Sequence, residues 1–156
     1  MTEEIVIRKA VDADLEVLLA MEQGVITAER PYDPTIKENP VHYYDLKDLM
    51  ANPKAILLVA LYKEKIVSCG YALEKAARSY LDHDTYAYLG FMFTVSDYRG
   101  HGINKQIIEG LKEWAYSRGL SEIRLTVYSD NHPAIRAYEK VGFKSHMIEM
   151  RISNKQ

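Results

Sequence analysis

Cysteine is nearly missing from this sequence. Cys69 is the one thiol in 156 residues, which excludes an internal disulfide and any cysteine-rich metal site. An excess of one charge is missing as well. The 20 basic and 22 acidic side chains leave a net charge of -2, unlike the basic footprint of a nucleic-acid-binding domain. No run approaches the ~18 apolar residues of a membrane span. The amino terminus, M-T-E-E-I-V-I-R-K, carries acids where a signal peptide carries bases. Repeats and low-complexity tracts are also lacking. The expectation is a soluble cytoplasmic protein with one domain over residues 1–156, no membrane or nucleic-acid partner and no metal, long enough to bury a core.

The patterning that is present predicts a mixed α/β domain. Residues 4–9 alternate as a strand, and Asp12 or Asp14 caps a helix with Leu15, Leu18 and Leu19 on one face. The stretch 30–42, with Pro31, Pro34 and Pro40, reads as a loop, and a short helix follows over 43–51. Apolar runs at 55–62 and 66–73 flank Lys63-Glu64-Lys65 as a hairpin. A third strand spans 85–95, with Gly90 as a bulge position. Residues 102–118 form the clearest helix, its Ile103, Ile107, Leu111 and Ala115 recurring every four residues. A strand at 122–128, a helix from Asn131 to Val141 and a last strand at 145–152 complete the order β-α-α-β-β-β-α-β-α-β. Such an order predicts helices flanking a largely antiparallel sheet.

The segment Asp97-Tyr98-Arg99-Gly100-His101-Gly102-Ile103-Asn104 stands between a strand and an amphipathic helix. Glycines one residue apart let backbone approach a ligand closely. Amides at a helix amino end then receive phosphate on the positive side of the helix dipole. Arg99 and Lys105 can add cationic contacts to the same anion. A bare G-x-G also serves as an ordinary turn. A Walker loop is excluded by the absent Gly-Lys-Ser/Thr, and the dinucleotide pattern by Lys105 at its third glycine.

M-F-T-V-S-D-Y-R-G-H-G-I-N-K resembles the acetyl-CoA motif of the GCN5-related N-acetyltransferases, Arg/Gln-x-x-Gly-x-Gly/Ala. Arg99 and Gly102 match the first two fixed positions and Gly100 a common third, while Asn104 departs from the small residue expected last. The stretch N-H-P-A-I-R-A-Y-E-K-V-G-F is similar to the family's second motif through Asn131, Ala134, Tyr138, Gly142 and Phe143. Its spacing has physical sense: Asn131 caps, Pro133 fits the first turn, and Ala134 and Tyr138 share a face.

The resemblance implies the acyl-CoA N-acyltransferase fold and acetyl-CoA as co-substrate. It assigns cofactor binding to Met92, Phe93, Thr94, Arg99, Gly100, His101, Gly102, Ile103, Asn104, Lys105, Asn131, Ala134 and Tyr138. It also implies two splayed strands, backbone groups of Met92–Thr94 along the pantetheine arm, and direct attack by a primary amine in a ternary complex. Tyr138 becomes the candidate acid for the departing thiolate. The carboxylate that many relatives carry on the strand before the glycine loop is missing, since Gly90 and Phe91 stand there. Glu74, Asp82, Asp84, Glu29, Asp33, His83 and His42 are base candidates, and none is singled out. Cys69 reads as a small buried hydrophobe. The acceptor, a small-molecule amine ahead of a peptide or protein amine, and the acyl length stay open. The oligomeric state does too, a homodimer through exposed-edge pairing being common among relatives. The alternative is a catalytically silent acyl-CoA-binding sensor or partner module.

Overall fold

The computed structural model describes residues 4–155, which divide into a unit ending at Thr126 and a second over Val127–Gln156. In the first unit five strands lie in chain order: β1 (Val6–Lys9), β2 (Ala55–Tyr62), β3 (Lys65–Ala76), β4 (Thr85–Thr94) and β5 (Ile123–Arg124). The first four pair antiparallel and β5 joins β4 in parallel. The mixed, largely antiparallel sheet is the one the sequence predicts.

Alternation along the strands divides the core between the two faces. Leu57, Val59, Cys69, Tyr71 and Phe91 pack with Leu18, Met21 and Val25 of α1 (Leu15–Glu29) and with Leu46 and Leu49 of α2 (Leu46–Ala51). The opposite parity meets α3 (Ile103–Ser117), where a Cβ on Gly70 would lie 2.8 Å from Ile107 Cγ2. The α3 stripe is as expected: Ile103, Ile107, Leu111 and Ala115 are all buried. The α1 stripe differs, running through Leu18, Met21, Glu22, Val25 and Ile26 while Leu19 is exposed. Asp14 fixes the start of this helix, accepting 2.7 and 3.1 Å bonds from Arg8 and a 2.8 Å bond from Val11 N–H. The Arg8 guanidinium holds the Asp14 carboxyl below its usual range.

The β2–β3 connection is a two-residue turn, Lys63 and Glu64 both having positive φ as a primed hairpin turn requires. The bulge in β4 falls one residue later than the sequence suggests. Tyr71 pairs with Gly90 and Cys69 with Phe93, so Phe91 and Met92 together oppose Gly70, and Phe91 takes φ 55. Gly90 has another reason to be glycine: a Cβ there would lie 2.4 Å from the Tyr71 ring. The expected strand 122–128 contracts to Ile123–Arg124.

In the second unit α4 (His132–Lys140) begins where Asn131 Oδ1 accepts the Ala134 N–H at 3.3 Å. The chain turns at Gly142, φ 107, and the Tyr138 and Phe143 rings meet edge to face at 5.9 Å. The predicted strand 145–152 does not form; this stretch is without regular structure. Its alternation is present in the sequence, but alternation chooses a face and does not supply the neighbouring strand that a ladder needs.

Candidate functional site

Pairing between β4 and β5 stops after two residues, Ala87 with Ile123 and Tyr88 with Arg124. From Leu89 to Thr94 the edge of β4 is therefore open on that side. Which backbone groups line the opening follows from alternation. Ser68 Oγ donates to Phe93 O at 2.8 Å and Val95 N–H to Val67 O at 2.9 Å, so these residues address β3. Met92 and Thr94 then present N–H and C=O toward the gap. Thr94 is further oriented by its hydroxyl, 2.9 Å from Ser68 Oγ. The Ser68 proton is committed to Phe93 O, so Thr94 is the donor.

Beyond Thr94 a 3₁₀ turn (Ser96–Tyr98) leads into the glycine loop. Gly100 (φ 81) and Gly102 (φ 77) both adopt the left-handed conformation, and a Cβ on either would have no atom within 4 Å. Gly102 is the N-cap of α3 and offers no side-chain acceptor to the first helical amides. Those N–H groups have no intrahelical partner. An anion in this cradle would meet amides and the positive helix end without steric hindrance. The Arg99 side chain reaches back, its Nε donating to Thr94 O at 2.9 Å with the guanidinium 5.7 Å from the Phe93 ring centroid. His101 and Lys105 are exposed, Asn104 is half-buried, and the Ile103 side chain is buried in the core, leaving only its backbone to a ligand.

A cleft of about 510 Å³ runs between α1 and the end of β4, lined by Gly24, Thr27 and Ala28 opposite Phe93, Ser96 and Arg99. Gly24 makes room for Phe93: a Cβ there would sit 2.6 Å from the ring. The structure thus brings Met92, Phe93, Thr94 and residues 99–105 together in the first unit. Asn131, Ala134 and Tyr138 lie in the second, Asn131 at the cap and the other two one turn apart on α4.

The base candidates separate clearly. Asp82 is fully exposed and bonds His83 Nδ1 at 2.9 Å, while His83 Nε2 accepts from Arg124 at 2.7 Å. Glu74 lies 4.0 Å from Lys54. His42 Nδ1 donates to Glu22 at 2.8 Å. Glu29 is half-buried, and burial pushes its carboxyl above the usual range. Cys69 is wholly buried and its thiol is pushed far up by desolvation, which removes it as a nucleophile.

One structural residue escaped the sequence reading. Glu22 has no exposed surface, yet its carboxylate accepts His42 at 2.8 Å, Tyr43 N–H at 2.8 Å and Tyr44 N–H at 2.9 Å. It fixes the strap of residues 41–44 that carries two tyrosines onto the sheet, where Tyr44 stacks on Phe91 at 4.7 Å. With those amides engaged, α2 starts at Leu46 under an Asp45 cap rather than at Tyr43.

The profile of the Acetyltransferase (GNAT) family matches residues 23–143. Streptothricin acetyltransferase of Escherichia coli is 46% identical over 53 residues, a stretch covering 34% of this chain and 30% of that enzyme. Among solved structures, a transcriptional regulator from Bacillus halodurans C-125 is 27% identical, with TM-score 0.77 over 96% of this chain and 99% of that one. A predicted acetyltransferase from Clostridium acetobutylicum, solved with acetyl-CoA, is 19% identical, with TM-score 0.73 over 96% of both chains, a likeness of fold. Among the described residues no helix is long and apolar enough to cross a membrane, and no group of His, Cys, Asp and Glu is placed to hold a metal ion. With a profile match running from within α1 to the end of the second motif, the chain belongs to the GNAT acetyltransferase family.

Proposed function

We propose that this chain is an acetyl-CoA-dependent N-acetyltransferase of the cytoplasm, acting as one domain over residues 1–156 on a primary amine. The single observation that carries the reading is the open edge of β4 leading into an unobstructed cradle at Gly100 and Gly102. An extended pantetheine arm can bond the backbone of Met92 and Thr94 as an added strand would. Its pyrophosphate meets the amides from Gly100 to Lys105, with Arg99 and Lys105 supplying charge. A backbone N–H beside Met92 can stabilise the oxyanion of the tetrahedral intermediate. Asn131 and Ala134 border the arm in this reading. Tyr138 protonates the departing thiolate. The acceptor is a small-molecule amine in preference to a peptide, a choice supported by the partial resemblance to streptothricin acetyltransferase.

Binding is tested first by thermal unfolding with acetyl-CoA. Ligand at 100 times its dissociation constant adds about 2.7 kcal/mol, a rise of several degrees for a domain of this size. Millimolar acetyl-CoA without a shift would sink the reading. Turnover is then tested by thiol release across a panel of amines. The second reading, a silent acyl-CoA-binding module, draws on the lack of a carboxylate at Gly90 and Phe91, and a shift with no thiol release from any amine would favour it. For the acid role, Tyr138→Phe should lower kcat about tenfold while leaving the acetyl-CoA shift intact. A thiol of pKa about 8.5 leaves without full protonation, so the effect stays modest. Unchanged kcat across pH would remove Tyr138 from the chemistry.

A further inference from the structure

The gap beside β4 narrows to a closed end where Tyr88 pairs with Arg124, the last rung of the β4–β5 ladder. Side chains hold that end as well as backbone. The Arg124 guanidinium lies 4.0 Å from the Tyr86 ring centroid, and its Nη2 donates to His83 Nε2 at 2.7 Å. One step into the gap, the Tyr88 hydroxyl bonds Thr126 Oγ1 at 2.8 Å, although Thr126 has already left the ladder. These two side chains therefore bridge the fork just beyond its last rung. On the α3 face the closed end rests on buried Ala87, Ala115 and Leu120, with Ile123 packed against them. On the α1/α2 face Tyr88 packs beside Tyr71, the ring centroids 6.5 Å apart, and the bond to Thr126 fixes where its phenol points.

Length decides which part of the cofactor meets this end. With the pyrophosphate at residues 100–105, the arm runs back along β4 toward Tyr88. From phosphate to sulfur it has about 12 bonds, the reach of about four residues of extended chain, or roughly 13–14 Å. Counted back from Thr94, where β4 ends, that reach places the sulfur at Gly90. Two strand steps, roughly 6–7 Å, then separate the sulfur from the paired Tyr88. An acetyl group extends about two bonds past the sulfur, roughly 2.5–3 Å. Its methyl needs a further ~3.5–4.0 Å to the next atom, which fills the distance. We propose that Tyr88 and Thr126 set the length of the acyl group, admitting acetyl and excluding butyryl and longer chains. This rests on the acetyl-CoA reading above.

The test compares kcat/KM for acetyl-, propionyl- and butyryl-CoA with one amine of the panel. One methylene in an apolar pocket changes kcat/KM about 10- to 200-fold, so wild type should favour acetyl- over butyryl-CoA about a hundredfold or more. Tyr88→Ala removes the wall and should raise the butyryl-to-acetyl ratio at least about tenfold. Tyr88→Phe and Thr126→Ala cut the bond while the ring stays, and each should raise the ratio less. The fraction of enzyme folded cancels in this ratio, so a merely structural role would leave it unchanged. The thermal shift with CoA, which has no acyl group, reports whether each variant still binds the arm. Should Tyr88→Ala not fold or lose that shift, the two milder variants decide. Wild type that uses butyryl-CoA as well as acetyl-CoA overturns the assignment, and so do folded variants with the wild-type ratio. If wild type binds CoA but turns over no amine, dissociation constants of the three thioesters take the place of kcat/KM and are read in the same way. Wild type without a CoA shift overturns the acetyl-CoA reading and this assignment with it.

Discussion

Glu22→Ala is expected to cost about 3–5 kcal/mol of folding stability, the range for breaking a buried charged contact. The magnitude follows from what the carboxylate leaves behind. Tyr43 and Tyr44 N–H groups, now bonded at 2.8 and 2.9 Å, would face a void. Each stranded buried donor costs roughly 1–3 kcal/mol, and the lost side-chain volume in a site with no exposed surface adds a cavity penalty. A domain whose whole stability is ~5–15 kcal/mol has little margin for that. Glu22→Gln is the informative control. Its amide oxygen can accept both N–H bonds and its NH2 can donate to His42 Nδ1, at the expense of a tautomer change. Urea unfolding should place E22Q within about 1 kcal/mol of wild type and E22A far below it. An E22A protein that loses less than about 1 kcal/mol would mean that the strap is held by its tyrosine rings alone.

The contrast between Glu22 and the glycine loop explains what was legible in the sequence. The loop is local: Gly100, Gly102 and the stripe of α3 are consecutive, and their spacing alone implies a tight turn before a helix. The hairpin at Lys63-Glu64 and the cap at Asn131 are local in the same sense. Glu22 is different. Its partners lie 20 to 22 residues away, so on a helical wheel it reads as one polar residue among apolar ones, and Leu19 is the better-looking core position. The bulge is a property of two strands together, and Gly90 marked its vicinity while the register against Gly70 moved it to Phe91. The stretch 145–152 shows the reverse failure, a pattern with correct period and no ladder. Glu29 stood among seven equal candidates because the burial that raises its carboxyl is a property of the folded surroundings and not of sequence spacing.

Gly102→Val should raise the dissociation constant for acetyl-CoA about a thousandfold while leaving a folded protein. The two halves of that expectation rest on one observation, the open space where a Cβ would go. No protein atom lies within 4 Å of it, so valine meets no internal clash, and its cost to the fold is confined to a β-branched residue at φ 77. That strain is roughly 1–2 kcal/mol. A phosphate seated on the first amides of α3 would occupy the same space. Losing two charge-assisted bonds at roughly 1.5–3 kcal/mol each gives 3–6 kcal/mol, which brackets a thousandfold change in affinity. Gly102→Ala separates strain from obstruction, since it keeps most of the conformational penalty with a smaller projection and should bind more tightly than the valine variant. Arg99→Ala should weaken binding less than either, one cationic side chain being removed while the amides remain. Calorimetric titration of the three proteins with CoA checks this order. A Gly102→Val protein that binds CoA as wild type does would move the phosphates away from the helix end and return the two glycines to the role of a turn.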